Sequence, residues 1–240
     1  MVREDRSVSF FSHLEELRKR LIFCVITIII TSVVAYNQTT NILKHLSQPL
    51  GNLYFLSPVE AFIARMKITL FCGLYLALPI IFYQIWRFVE TGLHNKERRS
   101  ISLLVVFSFL LFTLGGAFAY FVMLPIGLKF LLSCGTATLQ PIISVEKYIT
   151  FVVGLVLSFG LVFQLPIIIF FLAQIGIVSP GFLFKQQKYA ILIIFIVAAI
   201  LTPPDVFSQC LMAIPLLILY EFSILISVFA VKKRNRGEDG

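Results

Sequence analysis

Charge is scarce in this chain. Lysine, arginine, aspartate and glutamate make up only 13% of its 240 residues, whereas the apolar set AVILMFWYC makes up 59%. Mean hydropathy is +0.95. A soluble domain of this length does not carry so little polar surface, so a water-soluble fold is excluded. Cysteine is scarce too. Of the four, Cys24, Cys72 and Cys210 fall in apolar stretches and Cys134 in a connection, which gives no disulfide framework. No CxxC, CxxH or HExxH occurs, which argues against a structural zinc site or a zinc protease. GxxxxGK[ST], GxGxxG and GxSxG are also missing, and His13, His45 and His94 lie in separate regions. Neither nucleotide binding nor a nucleophile is signalled, so no enzyme and no cofactor is expected. The chain lacks GxxxG, an internal repeat and any low-complexity tract, so an inverted-repeat transporter is not signalled either.

What is present is a series of long apolar runs, a membrane signature at roughly 17–25 residues per crossing. The runs are Leu21–Tyr36, Lys67–Trp86, Ile101–Leu124, Tyr148–Ile175, Tyr189–Thr202 and Val206–Val231. They predict an all-α membrane protein of six transmembrane helices in one integral membrane domain, spanning 1–240. Within it, residues 1–20 form an amphipathic segment, 21–231 the helical core and 232–240 a basic tail. The fifth run has only 14 residues and the sixth is interrupted by Glu221, so the last two helices are expected to be short. The charged stretch before Leu21 carries four acids, unlike a secretory signal peptide, so the first run reads as an uncleaved helix.

The net charge of +8 marks topology, not nucleic acid. Fifteen of the 20 lysines and arginines fall in the termini and the Arg87–Ser100 and Lys185–Lys188 connections, and five fall on the other side. That asymmetry places both termini in the cytoplasm. Tyr83, Trp86 and Tyr189 mark one interface, and Tyr36, Tyr120 and Tyr148 the other.

Three places carry polar groups that could act. In Ser9–Leu21, Phe10, Leu14, Leu17 and Leu21 share one helical face, and Ser12 with Glu15 reads as a capping box at the start of an interfacial helix. Glu16 and Arg20 stand four residues apart and can pair along that helix. The loop Arg87–Ser100 holds Glu97 among cations, and Arg98 and Arg99 beside it favour its ionised form. Together with Glu15 and Glu16, Glu97 thus puts carboxylates on the same membrane face, and carboxylates are bidentate partners for guanidinium. In the fourth run, Gln164 lies two residues before Pro166, which bends the helix and frees a carbonyl that Gln164 or water can satisfy. Thr202, Ser208 and Gln209 cluster at the Thr202-Pro203-Pro204-Asp205 turn, where Asp205 can cap the last helix.

Several motifs in order resemble one family. They are His13-Leu14-x-Glu16-Leu17-Arg18-x-Arg20-Leu21, Ser57-Pro58-x-Glu60, Pro79-x3-Tyr83-Gln84-x-Trp86-x-Phe88 and Glu97-Arg98-Arg99. Further on come Phe118-x-Tyr120-x4-Pro125, Phe159-Gly160-x2-Phe163-x2-Pro166, Leu201-Thr202-Pro203-Pro204-Asp205-x2-Ser208-Gln209, Ala213-x-Pro215 and Tyr220-Glu221. From about residue 9 to 231 the chain is similar to TatC, the core receptor of the twin-arginine protein translocase. The resemblance implies a cupped, glove-like set of six helices in a bacterial inner membrane. It also implies binding of twin-arginine signal peptides on folded precursors at the cytoplasmic face. Assembly with TatA- and TatB-type single-span partners, self-association in a receptor complex and export driven by the proton-motive force follow from it. By the same resemblance Glu16 and Glu97 receive the arginines, with Arg18, Phe88 and Leu93 helping to seat the peptide. Gln164, Thr202 and Gln209, beside Asp205, form a polar docking patch for the single-span partners. Two departures stand out: Gln164 occupies a position often held by glutamate, and Glu90-Thr91-Gly92-Leu93 lacks the family's proline. The rival reading is a small-solute secondary transporter, which calls for facing ionisable residues at the midplane, where only Gln164 is found.

Overall fold

The computed structural model describes residues 2–47, 53–91, 101–133, 142–201 and 206–238, nearly all of them helical. In chain order the helices are α1 (Val2–Tyr36), α2 (Thr39–Ser47), α3 (Pro58–Thr91) and α4 (Ile101–Phe118). A π-helical turn (Ala119–Met123) leads into α5 (Leu124–Ser133), followed by α6 (Val145–Val162), α7 (Leu165–Gln174), α8 (Pro180–Lys185), α9 (Gln187–Leu201) and α10 (Val206–Glu238). Five stretches are long and apolar enough to cross a bilayer: Leu14–Tyr36, Pro58–Val89, Ser102–Ser133, Val145–Gln174 and Gln209–Phe229. Gln187–Ile200 is a shorter apolar helix. In the described residues the six expected runs are helical apart from the break at Gln164, and the fifth is short, as its length implies. The last stretch is 21 residues long, the shortest of the five, and at 1.5 Å per residue reaches roughly 30 Å. Among the described residues of the six expected runs, the fifth, in α9, is too short to cross a full hydrocarbon core.

Burial follows membrane logic. Val33, Val34, Phe121 and Phe229 are exposed, whereas Ser108, Ser223 and Ser227 are buried. Ser223 and Ser227 bond within their own helix, to Leu219 O at 2.7 Å and Ile224 O at 2.6 Å. Large apolar side chains outside and small polar ones inside suit a hydrocarbon solvent.

The chain forms two compact units, Met1–Phe109 with Ile142–Val153, and Leu110–Pro141 with Gly154–Gly240. In the first unit α1 packs antiparallel on α3. Thr31 Oγ1 donates to Gly73 O at 2.8 Å, and Arg20 donates to Gln84 eleven residues away on each helix. Eleven residues are three turns, so both contacts lie on one continuous face. Gly73 is required there: a Cβ would stand 2.0 Å from Ser32 Oγ and 2.6 Å from Ser32 Cα. At the far end of this unit Thr39 and Thr69 hydroxyls meet at 3.1 Å, and Tyr148 donates to Leu46 O at 2.6 Å. Tyr54 pairs by backbone with Ile143 and Val145, and Lys67 Nζ reaches Glu146 Oε1 at 2.9 Å and Thr150 Oγ1 at 2.7 Å.

In the second unit α4 and α6 interlock through glycine and phenylalanine. A Cβ on Gly160 would lie 2.7 Å from the Phe112 ring, and one on Gly115 would lie 2.6 Å from Phe159 O. Phe118 stacks at 5.7 Å on Phe159 and 5.9 Å on Phe163. After α7, Gly176 takes φ 81°, with Ile177 N donating to Leu172 O and Gly176 N to Ala173 O. This is a Schellman stop, and it turns the chain into α8, which Ser179 caps at 3.2 Å through Phe182 N.

Four local expectations change. Ser12 is inside α1, which begins at Val2 and runs unbroken to Tyr36. An N-cap needs non-helical backbone, so the capping box with Glu15 does not form; Glu15 pairs with Lys19 at 2.8 Å instead. The second span begins at Pro58, not Lys67, because Ser57 accepts from Val59 N and Glu60 closes back onto Leu56 N at 3.1 Å. The third continues past Leu124 to Ser133: Leu124 N bonds Ala119 O, five residues back, and this π turn absorbs Pro125. Trp86 and Tyr148 are buried, Trp86 donating to Ser108 Oγ at 2.8 Å, so neither is an exposed interfacial marker.

Candidate functional site

The site begins with the antiparallel register of α1 and α3. Going from Arg20 to Glu16 is one turn towards the start of α1, and from Gln84 to Phe88 one turn towards the end of α3. Glu16 and Phe88 therefore lie level on neighbouring helices, on the faces that carry Arg20 and Gln84. Phe88 is half-buried, and Arg18, on another face of α1, is exposed. Leu93 and Glu97 lie outside the described residues. The register thus sets Glu16 and Phe88 at one level of the α1–α3 pair.

Glu16 is engaged by its own helix. Arg20 Nε donates to Glu16 Oε1 at 3.0 Å, with a second guanidinium nitrogen on the same oxygen, and a third donates to Gln84 Oε1 at 3.0 Å. The pair foreseen at i,i+4 exists, and Gln84 extends it to α3. The Glu16 side chain is 32% exposed and that of Arg20 16%, so the pair is drier than a surface ion pair while the carboxylate remains reachable. Gln84 was absent from the predicted site residues; its spacing of four from Phe88 was the available signal. Arg87, on another face of α3, donates to Tyr83 Oη at 2.8 Å.

The second polar region belongs to the other unit. Gln164 sits in the break between α6 and α7, 6% exposed. Its backbone N–H turns to Leu161 O at 3.0 Å, and its side-chain Nε2 lies 3.4 Å from Gly160 O, four residues back. The side chain thus takes up the Gly160 carbonyl that its own main-chain N–H relinquishes, not Val162 O, which the missing Pro166 N–H would have bonded. Gln209 is half-buried and donates to Phe195 O on α9 at 3.1 Å. Thr202 and Asp205 lie outside the described residues. Glu221 is exposed and accepts from Gln187 Nε2 on α9, beside Tyr220, whose hydroxyl donates to Leu183 O at 2.9 Å. Among the described residues no group of His, Cys, Asp and Glu is arranged to hold a metal ion.

A chain whose described residues include five helices long and apolar enough to cross a bilayer, with polar groups held at helix ends and breaks, has the make-up of a polytopic membrane protein. The family model for the Sec-independent protein translocase protein TatC matches residues 12–215. The chain is 45% identical to the TatC of Carboxydothermus hydrogenoformans, covering 98% of this chain and 99% of that one. It is 43% identical to the TatC of Aquifex aeolicus over 93% and 96% of the two chains. A crystal structure of the twin-arginine translocase receptor TatC superposes with a TM-score of 0.82 at 42% identity, covering 91% of this chain and 99% of that chain. A second, in the detergent DDM, gives 0.83 at 43% identity, covering 90% and 99%. The chain belongs to the TatC family of the Sec-independent protein translocase.

Proposed function

We propose that the ends of α1 and α3 carrying Glu16 and Phe88 receive the consecutive arginines of a signal peptide, on the cytoplasmic face of a bacterial inner membrane. The observation that carries this reading is that Glu16 and Phe88 stand level on packed helices, with a guanidinium, that of Arg20, already bound to the carboxylate. A site that holds one arginine has the geometry for another. Glu97 supplies the second carboxylate, Arg18 and Leu93 border the peptide, and folded precursors are then carried across at the expense of the proton-motive force. Both termini lie in the cytoplasm and the six apolar helices all span, α9 in locally thinned bilayer. TatA- and TatB-type single-span partners dock near Gln164, Thr202, Asp205 and Gln209, and copies of the chain associate in the receptor complex.

The test is site-specific photocrosslinking from Phe88 and Leu93, which leaves both carboxylates in place. Crosslinks to a twin-arginine peptide, lost with a twin-lysine control, are expected. No crosslink from a correctly inserted protein would return the small-solute transporter reading to first place.

A further inference from the structure

At the end of the α1–α3 pair remote from Glu16, the first three helices frame an apolar cavity of about 440 Å³. Ala35 on α1, Gln38 just before α2, Ile42 on α2, and Phe71, Cys72 and Leu76 on α3 line it. We propose that this cavity takes one acyl chain of an anionic phospholipid whose phosphate is held by Arg65.

The cavity has the size of an ordinary ligand pocket. It opens on the protein surface, since Val34 and Leu76 on its walls are exposed. Arg65 and Cys72 stand seven residues apart, two helical turns, so Arg65 lies on the face of α3 that lines the cavity. From Arg65 to Leu76 is eleven residues, roughly 16 Å of helix. One leaflet of a bilayer has a hydrocarbon depth of about 15 Å, so arginine and cavity together match a single acyl chain. The apolar stretch Pro58–Val89 has 32 residues, roughly 48 Å against a core of about 30 Å. Shared between the two ends, the excess puts Arg65 at the hydrocarbon boundary, beside the phosphates.

The polar end of the site is built for an anion. The Arg65 guanidinium packs over the Tyr36 ring, 4.6 Å from its centroid, which fixes the group and leaves N–H donors for an acceptor. Arg65 is exposed, and among the described residues no carboxylate pairs with it. Glu60, the acid closest to it along α3, is held by Leu56 N and Ser144 Oγ. Gln38 Oε1 accepts from Asn41 at 3.1 Å, so its Nε2 is left to donate to a phosphate or ester oxygen. A cation, an amide donor and an apolar slot are the elements that recognise an anionic lipid. A transmembrane helix is a poorer occupant. At about 10 Å diameter it would need on the order of 1,300 Å³ over the same length, about three times the cavity.

The experiment titrates the detergent-purified full-length protein with phosphatidylglycerol or phosphatidylcholine of identical acyl chains. Native mass spectrometry reads the affinity of the first lipid bound. Phosphatidylglycerol should bind about tenfold tighter, the scale of one hydrogen bond to a charged group, and Arg65→Gln should remove that preference. Cys72→Phe, which fills the cavity, should weaken both lipids and leave their ratio where it was. In nanodiscs, a phosphatidylglycerol with a diazirine midway along one chain should label residues 71–76 of the wild-type protein. That labelling uses the unaltered chain and stands whatever Cys72→Phe does to folding. An unchanged lipid ratio in Arg65→Gln, unchanged affinities in Cys72→Phe, or labelling spread evenly over the spans overturns the proposal. A photocrosslinker at Leu76 that captures a single-span partner or a second copy of the chain, in place of lipid, assigns the cavity to protein and overturns it too.

Discussion

Lys67 on α3 and Glu146 on α6 meet at 2.9 Å, and the lysine also holds Thr150 Oγ1 at 2.7 Å. Each charged side chain is about a third exposed, at 34% and 30%, so the pair is neither fully solvated nor fully dry. Removing one partner leaves the other charge without compensation. Lys67→Met is expected to cost about 1–2 kcal/mol, with partial recovery in the exchanged pair Lys67→Glu, Glu146→Lys. Thermal unfolding of the detergent-solubilised protein measures this. Equal midpoints for wild type and Lys67→Met would show that the pair contributes nothing.

Gly73 should tolerate no side chain. Its Cβ position coincides with Ser32 on α1, backbone included, so the two helices must separate to admit even alanine. Gly73→Ala is expected to destabilise by about 1–3 kcal/mol. Ser32→Gly should relieve only part of this, because Ser32 Cα and N also crowd the site. Since the same helix pair positions Glu16 against Phe88, Gly73→Ala should also weaken peptide binding. Undiminished binding by the variant would separate the site from this contact.

Gln164 closes the carbonyl of Gly160 inside the protein. Gln164→Leu should cost about 0.6–2 kcal/mol, the range for hydrogen bonds within membrane proteins. A side chain 6% exposed reaches a docking partner only if the helices around it part. Disulfide mapping of single-span partners should therefore give stronger crosslinks from Gln209→Cys than from Gln164→Cys, in a background lacking the native cysteines. The reverse order would show that the α6–α7 break opens on assembly.

Glu16→Ala should reduce twin-arginine affinity roughly tenfold to a hundredfold, because the carboxylate is partly buried and already aligned for guanidinium. The double change Glu16→Ala, Glu97→Ala should abolish binding while membrane insertion continues. Wild-type affinity in the double variant would rule out the carboxylate pair as the receptor.

Much of the architecture was legible because apolar run length is a one-dimensional property. In the described residues the six runs are helical apart from the break at Gln164, and α9 is as short as its run implies. The break at Gln164 was readable because proline acts locally, by removing its own donor. Helix ends were read less well. The third run ends at Leu124, yet a π turn carries the helix on to Ser133, and Ser12 reads as a cap, yet the helix begins ten residues earlier.

From the residues alone it follows that this is a helical membrane protein, which segments are apolar enough to be spans, where positive charge gathers along the chain, and that Glu16 can pair with Arg20 on one helix. These follow from composition, run length and the 3.6-residue period. Only the tertiary structure decided that Gln84 completes the Arg20 contact, that Glu16 and Phe88 are level, and that Lys67 finds Glu146 79 residues away. The close approach of α1 and α3 was likewise invisible, since a single Gly73 facing a serine leaves no spaced glycine motif. Such contacts depend on the register between helices. That register is set by the whole packed face, where small residues let backbones meet, and no local pattern records it.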